Sequence, residues 1–285
     1  MHWLTSRHLI DLSAPKVMGI VNVTPDSFSD GGRYTSTKTA IAHCEKLMAE
    51  GADILDIGGE SSRPGTPPVP LEEELARVLP VLRAAVTMGV PVSVDTYKPE
   101  VMREALQLGA DIINDIWALR QPGAREAVAA HPRCGVCLMH MHGEPQTMQA
   151  EPMAGDAVPQ VHAFLRQQTR LLRGLGVHAA RVAWDPGIGF GKTVEQNFAL
   201  LARQRELLED GFPLLAGWSR KSSLGSVTGL PVNERVAPSV AAALLAVERG
   251  ASVVRVHDVR ETVAALKVYG AMIPAAQVQK QEMQE

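Results

Sequence analysis

"RVAWDPGIGFGKT" (residues 181–193) is a short apolar run that ends in Asp185 and opens into a glycine-rich turn. "VEQNFALLARQRELLEDG" (194–211) follows, with the spacing of an amphipathic helix and a terminal glycine. The turn resembles a phosphate loop but fails both common patterns. A Walker A loop requires a glycine five residues before Gly191, where Pro186 stands. A dinucleotide fingerprint requires G-x-G-x-x-G, and Lys192 occupies the last slot. What is left is a strand, a carboxylate at its end, a tight turn and a helix.

That unit recurs through the chain. Apolar runs stand at 17–22, 52–58, 90–95, 110–116, 135–140, 181–185, 213–219 and 252–257. Short runs rich in Val and Ile read as strands buried on both faces. Helical stretches lie between them, as in "TKTAIAHCEKLMAEG", where Ala40, Ile41, Cys44, Leu47 and Met48 share one face. Gly51, Gly89, Gly109, Gly176, Gly211 and Gly250 fall where such helices should stop. Eight strands alternating with helices in 285 residues predict an α/β fold of the (β/α)8 TIM-barrel type. A doubly wound open sheet is the runner-up. A single domain is expected over residues 1–285, with its core at 15–273 and a fraying polar tail at 275–285.

The bulk numbers narrow the function classes. A formal charge of −3 with no basic run, and only 4% aromatic residues, offer no footprint for nucleic acid. No apolar stretch approaches the ~20 residues that span a bilayer, and "MHWLTSRHLIDLS" lacks a signal pattern. A cytoplasmic protein with no membrane partner is expected. Cys134 and Cys137 mimic a redox or metal pair. On a strand, residues three apart face opposite ways, so both are read with Cys44 as ordinary thiols.

In a TIM barrel the active site lies at the C-terminal ends of the strands. Those ends carry Asn22, Glu60-Ser61-Ser62-Arg63, Asp95, Asn114-Asp115, His140, Asp185, Ser219-Arg220-Lys221 and Arg255-Val256-His257. Any one of these is explained by helix capping. A polar ring around one mouth is costly unless it binds something. Asp95, Asn114, Asp185 and Lys221 suit a flat ligand rich in N–H donors. Asn22, Ser61, Ser62, Arg63, Arg255 and His257 suit a phosphate-rich group on neighbouring strands.

"MGIVNVTPDSFSDGG" (18–32), "GGESSRPG" (58–65), "SVDTYKPEV" (93–101), "INDI" (113–116), "LMHM" (138–141), "DPGIGFGK" (185–192), "SRKS" (219–222) and "RVHDV" (255–259) together resemble the dihydropteroate synthase family. The resemblance implies a homodimeric TIM-barrel transferase of folate biosynthesis. It would join 4-aminobenzoate to a dihydropterin diphosphate with Mg2+. Asp95, Asn114, Asp185 and Lys221 would hold the pterin. Ser62, Arg255, Val256 and His257 would hold the diphosphate, with Asn22 on the metal. Phe28, Ser61, Arg63, Pro64, Phe190 and Ser219 would line the aminobenzoate site, and Lys221, Arg255, His257 and Arg63 would carry the reaction. Loop 1 (23–37) and loop 2 (58–70) are expected to order when diphosphate binds.

The chain departs from the family's common pattern at Ser62, where Thr is usual, at Trp218 and at His142. The His140/His142 pair invites a zinc amidohydrolase reading, but no matching ligands stand at the other strand ends. A Schiff-base role for Lys221 and a pterin-binding methyltransferase are further rivals, as is a pterin-binding barrel without activity. The apolar helix at 237–250 is expected near a dimer contact. Lys192-Thr193 is expected to begin a helix rather than grip phosphate.

Overall fold

The computed structural model describes residues 1–24, 32–61 and 65–282. An antiparallel hairpin, β1 (His2–Leu4) and β2 (Leu9–Asp11), opens the chain. Eight strands follow: β3 (Lys16–Asn22), β4 (Ile54–Gly58), β5 (Val92–Asp95), β6 (Ile112–Asp115), β7 (Gly135–Met139), β8 (Val182–Asp185), β9 (Leu215–Ala216) and β10 (Val253–Val256). They pair in parallel in the order β8-β7-β6-β5-β4-β3-β10-β9. A parallel bridge between Trp184 and Leu214 joins the two ends, so the sheet closes on itself. All eight expected strands are present, and the open-sheet alternative is excluded.

The connecting helices are α1 (Gly32–Ala49), α2 (Leu71–Ala85), α3 (Pro99–Gln107), α4 (Ala124–Ala130), α5 (Ala157–Gly174), α6 (Val194–Ala202), α7 (Ser222–Thr228), α8 (Val236–Glu248) and α9 (Val259–Glu282). Their starts follow local chemistry. Pro99 begins α3, where its missing N–H costs nothing. Asp156 caps α5 by accepting from the Val158 amide. Thr193 and Gln196 form a capping box on α6, so this residue begins the helix as its sequence implies. All six helix-ending glycines have positive φ, from 76° at Gly211 to 101° at Gly51.

Strand alternation sorts the side chains. Val17, Val21, Leu55, Ile57, Val92, Val94, Val254 and Val256 face out and join the large cluster under the helices. Met18, Ile54, Ile112, Cys137, Ala183, Leu215 and Val253 face in and fill the barrel floor. Cys134 belongs to the outer cluster and Cys137 to the floor, on opposite sides of the sheet. Among the described residues, no helix is long and apolar enough to cross a membrane.

Two elements differ from expectation. α1 begins at Gly32 rather than near Thr37, which takes the end of the expected loop 1 into helix. α9 runs through Pro274 to Glu282, so residues 275–282 are helical rather than frayed. Ala, Gln, Lys and Glu are good helix formers, and they extend a helix already nucleated by packing.

The N-terminal hairpin has no counterpart in the sequence reading. It closes the barrel floor. Trp3, Ile10 and Leu12 pack on the inward layer, and the Trp3 indole donates to the Arg181 carbonyl at 2.9 Å. Beside it, the buried Asp111 carboxylate accepts from the Arg7 and Val92 amides, each at 2.9 Å, and pairs with the Arg7 guanidinium. Trp3→Ala should therefore lower stability by about 3–5 kcal/mol. Urea unfolding measures this. Activity per folded molecule should be unchanged, because the floor lies at the opposite end from the mouth.

Candidate active site

The upper barrel holds a cavity of about 450 Å3. It is lined by Asn22, Ser61, Asp95, Asn114, Asp185, Phe190, Ser219, Lys221, Arg255 and His257, among others. Strand register explains the meeting. Asn22, Gly58, Asp95 and Asn114 are successive partners across four strands, so they form one inward rung. Asp185 pairs with Met139 further round the barrel. Glycines leave the space open. A Cβ on Gly58 would lie 3.4 Å from that of Asp95, and one on Gly217 would stand 4.0 Å from the Asp185 carboxylate.

Arg255 anchors the centre. Its Nε donates to Asp56 at 2.6 Å and its Nη2 to Asp95 at 2.7 Å. Asp56 is fully buried on β4, and its Oδ2 also accepts from the Asn114 amide at 3.3 Å. Burial pushes the Asp95 carboxyl up, to about 7, against the pull of Arg255. Burial likewise raises Asp185, while the Gly187 amide, donating at 2.7 Å, pulls it back. These are carboxyls that gain from a ligand's N–H donors.

The other wall is cationic. Burial pulls Lys221 down to about 8. Its Nζ donates to the Ile188 carbonyl at 2.7 Å and sits 4.2 Å from the centre of the Phe190 ring. Arg220, with φ of 58°, turns its guanidinium onto Asp258 at 2.5 Å, which leaves Lys221 to face the cavity. The Ser219 hydroxyl accepts from the His257 amide at 3.1 Å and meets His257 Nδ1 at 3.0 Å.

The glycine-rich turn packs against the chain after β7. A Cβ on Gly187 would lie 1.8 Å from the His140 carbonyl oxygen, and one on Gly191 would lie 2.3 Å from that of His142. Their φ angles of 66° and 67° add the second reason for glycine. Lys192 does not line the cavity. It is buried under the turn.

Several strand-end residues stand elsewhere. Val256 faces the outer cluster, so its side chain turns away from the cavity. His140 is buried edge-on to Phe164, and burial holds its pKa down at about 2, so the ring is neutral. Among the described residues, no group of three or more His, Cys, Asp or Glu is gathered for a metal. Asp115 accepts from the Trp117 and Leu119 amides and shapes its own turn. Trp218 is buried against Phe198 on the far side of β9 and does not line the cavity. Phe28, Ser62, Arg63 and Pro64 lie outside the described residues, as do the parts of loops 1 and 2 that contain them.

Asp56 is the main residue that strand-end reasoning overlooked. Its signal was a carboxylate inside the apolar run ADILDIG, two residues before Gly58 on the inward face. Met148, Gln149, Val232 and Asn233 also line the cavity from loops and carry no comparable signal.

This geometry meets independent comparisons. A family profile described as pterin binding enzyme matches residues 18–257. The dihydropteroate synthase of Neisseria meningitidis serogroup B is 51% identical over 276 residues, covering 95% of this chain and 97% of that protein. The chain belongs to the dihydropteroate synthase family. The Burkholderia cenocepacia dihydropteroate synthase, solved with 7,8-dihydropteroate, superposes with a TM-score of 0.89 at 53% identity, covering 97% of this chain and 98% of that one. The Xanthomonas albilineans dihydropteroate synthase, solved with 4-aminobenzoic acid, gives 0.89 at 50% identity over 95% and 98%.

For a barrel of the dihydropteroate synthase family, Asp56 thus becomes the test of the rung. Asp56→Ala leaves Arg255 with one carboxylate instead of two and should cost about 3 kcal/mol, the low end for a broken buried pair. Asp56→Asn, which keeps the volume, should cost less. Denaturant titration of both variants checks the order.

Proposed function

We propose that the chain is a dihydropteroate synthase, joining 4-aminobenzoate to 6-hydroxymethyl-7,8-dihydropterin diphosphate with release of pyrophosphate. One observation carries this reading: the carboxylate rung and the cationic wall face a single cavity. The relatives solved with 7,8-dihydropteroate and with 4-aminobenzoic acid support it.

Asp185, Asp95 and Asn114 present acceptors to the amino-pyrimidine edge of the pterin. Lys221 donates to its carbonyl or ring nitrogen. Arg255 and His257 face the diphosphate, the family resemblance adds Ser62 to them, and any contribution from Val256 comes through its backbone. Ser61, Phe190 and Ser219 bound the aminobenzoate, and the family resemblance assigns Phe28, Arg63 and Pro64 to the same site. Asn22 offers an amide oxygen at the rim, a hard donor that fits a Mg2+ whose other ligands are phosphate and water. When bound, that ion supplies charge neutralisation on the leaving group.

The substitution is SN1-like. The bond from the methylene carbon to the diphosphate oxygen breaks, and its electron pair leaves on pyrophosphate, facing the Arg255 and His257 donors. The electron-rich dihydropterin spreads the positive charge. The neutral aryl amine then gives its lone pair to the carbon and releases a proton to pyrophosphate or water. No strong base is needed, so the Ser219 hydroxyl and His257 Nδ1, 3.0 Å apart, are assigned to binding and not to nucleophilic attack.

The reading includes a homodimer in the cytoplasm. α8 leaves Ala237, Ala241 and Leu245 exposed on its outer face, and a second copy would cover them. Light scattering should give twice the chain mass.

Purified protein should form dihydropteroate, with matching pyrophosphate, only when Mg2+, dihydropterin diphosphate and 4-aminobenzoate are all present. No dihydropteroate and no pyrophosphate with all three present would overturn the assignment. The pKa of Lys221 sets a second outcome. Its charge is present below about 8 and lost above. kcat/KM for the pterin substrate, which reports the free enzyme, should fall on that alkaline side. Lys221→Arg should move the decline to higher pH in a pH–rate profile.

A further inference from the structure

The turn between Asp185 and α6 is built around a buried ammonium. Lys192 is 3% exposed. Its Nζ donates to the carbonyl oxygens of Gly187 at 2.8 Å, Phe190 at 3.0 Å and His140 at 3.3 Å. Three acceptors match the three N–H bonds of an ammonium. Converging backbone carbonyls are also how proteins hold a dehydrated monovalent cation. Burial lowers the lysine's pKa, Asp185 raises it and Lys221 lowers it further. The neighbouring His140 ring is neutral and adds no competing charge.

The rest of the turn is held as closely. The Gly189 amide donates to Asn197 Oδ1 at 2.8 Å, and the Gly189 carbonyl accepts from Gln149 at 2.6 Å. Lys221 holds the Ile188 carbonyl, and Asp185 holds the Gly187 amide. Asn197 reaches on to Ser223 at 3.0 Å, which ties the turn to α7 beside Lys221. Three cavity groups therefore take their positions from this turn: the Asp185 carboxylate, the Phe190 ring and the Lys221 ammonium.

We infer that Lys192 is a positioning residue for the reaction, a tethered monovalent cation whose carbonyl cage aims Asp185, Phe190 and Lys221 at the substrates. This deepens the proposed function and rests on it. Lys192 does not line the cavity and touches no reacting atom. Without a cation, the carbonyls of Gly187, Phe190 and His140 would lose the ammonium on which they converge, and Gly187 would keep only the Phe190 amide, at 3.1 Å. The turn would relax, and a displacement of about 1 Å in such groups costs on the order of 100-fold in rate.

Lys192→Ala vacates the cage, and Lys192→Met fills it with an uncharged chain. The test measures dihydropteroate formation together with hydrogen exchange over residues 187–191 without substrates. Each is run with ammonium, potassium, sodium or tetramethylammonium chloride. In sodium, Lys192→Ala should lose on the order of 100-fold in kcat/KM and exchange faster across the turn. Ammonium, and to a lesser degree potassium, should restore both readouts saturably, whereas tetramethylammonium is too large. Lys192→Met should be slow in every salt. If Lys192→Ala folds only in ammonium or potassium, the cation cage is upheld. The inference is overturned if the alanine variant is as active as wild type, if its turn exchanges normally, or if no cation restores it, including in refolding. Wild-type protein in the same assay separates the two ideas. If it forms no dihydropteroate the assigned reaction fails, while the exchange data still report on the cage.

Discussion

A half-buried guanidinium set among carboxylates orders the upper barrel. Arg255 reaches from β10 to Asp56 on β4 and Asp95 on β5, with β3 between. Charges at this depth are tolerated only when paired. The pairing fixes more than the charge. It holds Asp95 in the rung with Asn22 and Asn114, and through Asp56 it also fixes the Asn114 amide. A ligand entering the cavity meets acceptors already aimed, so little of its binding energy is spent on arranging them.

The same logic divides the lysines. Lys221 and Lys192 stand on either side of one turn, and both donate to its carbonyls. Lys221 shares its charge between the Ile188 carbonyl and the cavity. Lys192 gives all its donors to backbone. Residue type alone does not separate these roles. Depth relative to the turn does.

The repeat of apolar run, polar end and helix was legible because a two-face-buried strand and an amphipathic helix leave different periodicities. Asp185, Asp95 and Asn114 were legible as the polar ends of those runs. Asp56 was not, since a carboxylate inside a strand has no periodic signature, and its partner Arg255 lies 199 residues away. Val256 and His140 were named by proximity, but alternation turns both side chains outward. The N-terminal hairpin escaped because three-residue strands carry too little pattern to register. Trp218 looked like a change in the site. Its place just past β9, in the outer cluster against Phe198, makes it part of the packing instead.

The hairpin that stoppers the barrel floor has a consequence for traffic. With Trp3 and its neighbours wedged beneath the strands, the chamber is closed at its floor, and among the described residues it opens at the C-terminal ends of the strands. Whatever occupies its deepest recess must arrive first and depart last. On the proposed reaction, a heterocycle read by Asp95, Asn114 and Asp185 would therefore precede the aryl amine, and the product would back out along the route by which its inner half entered.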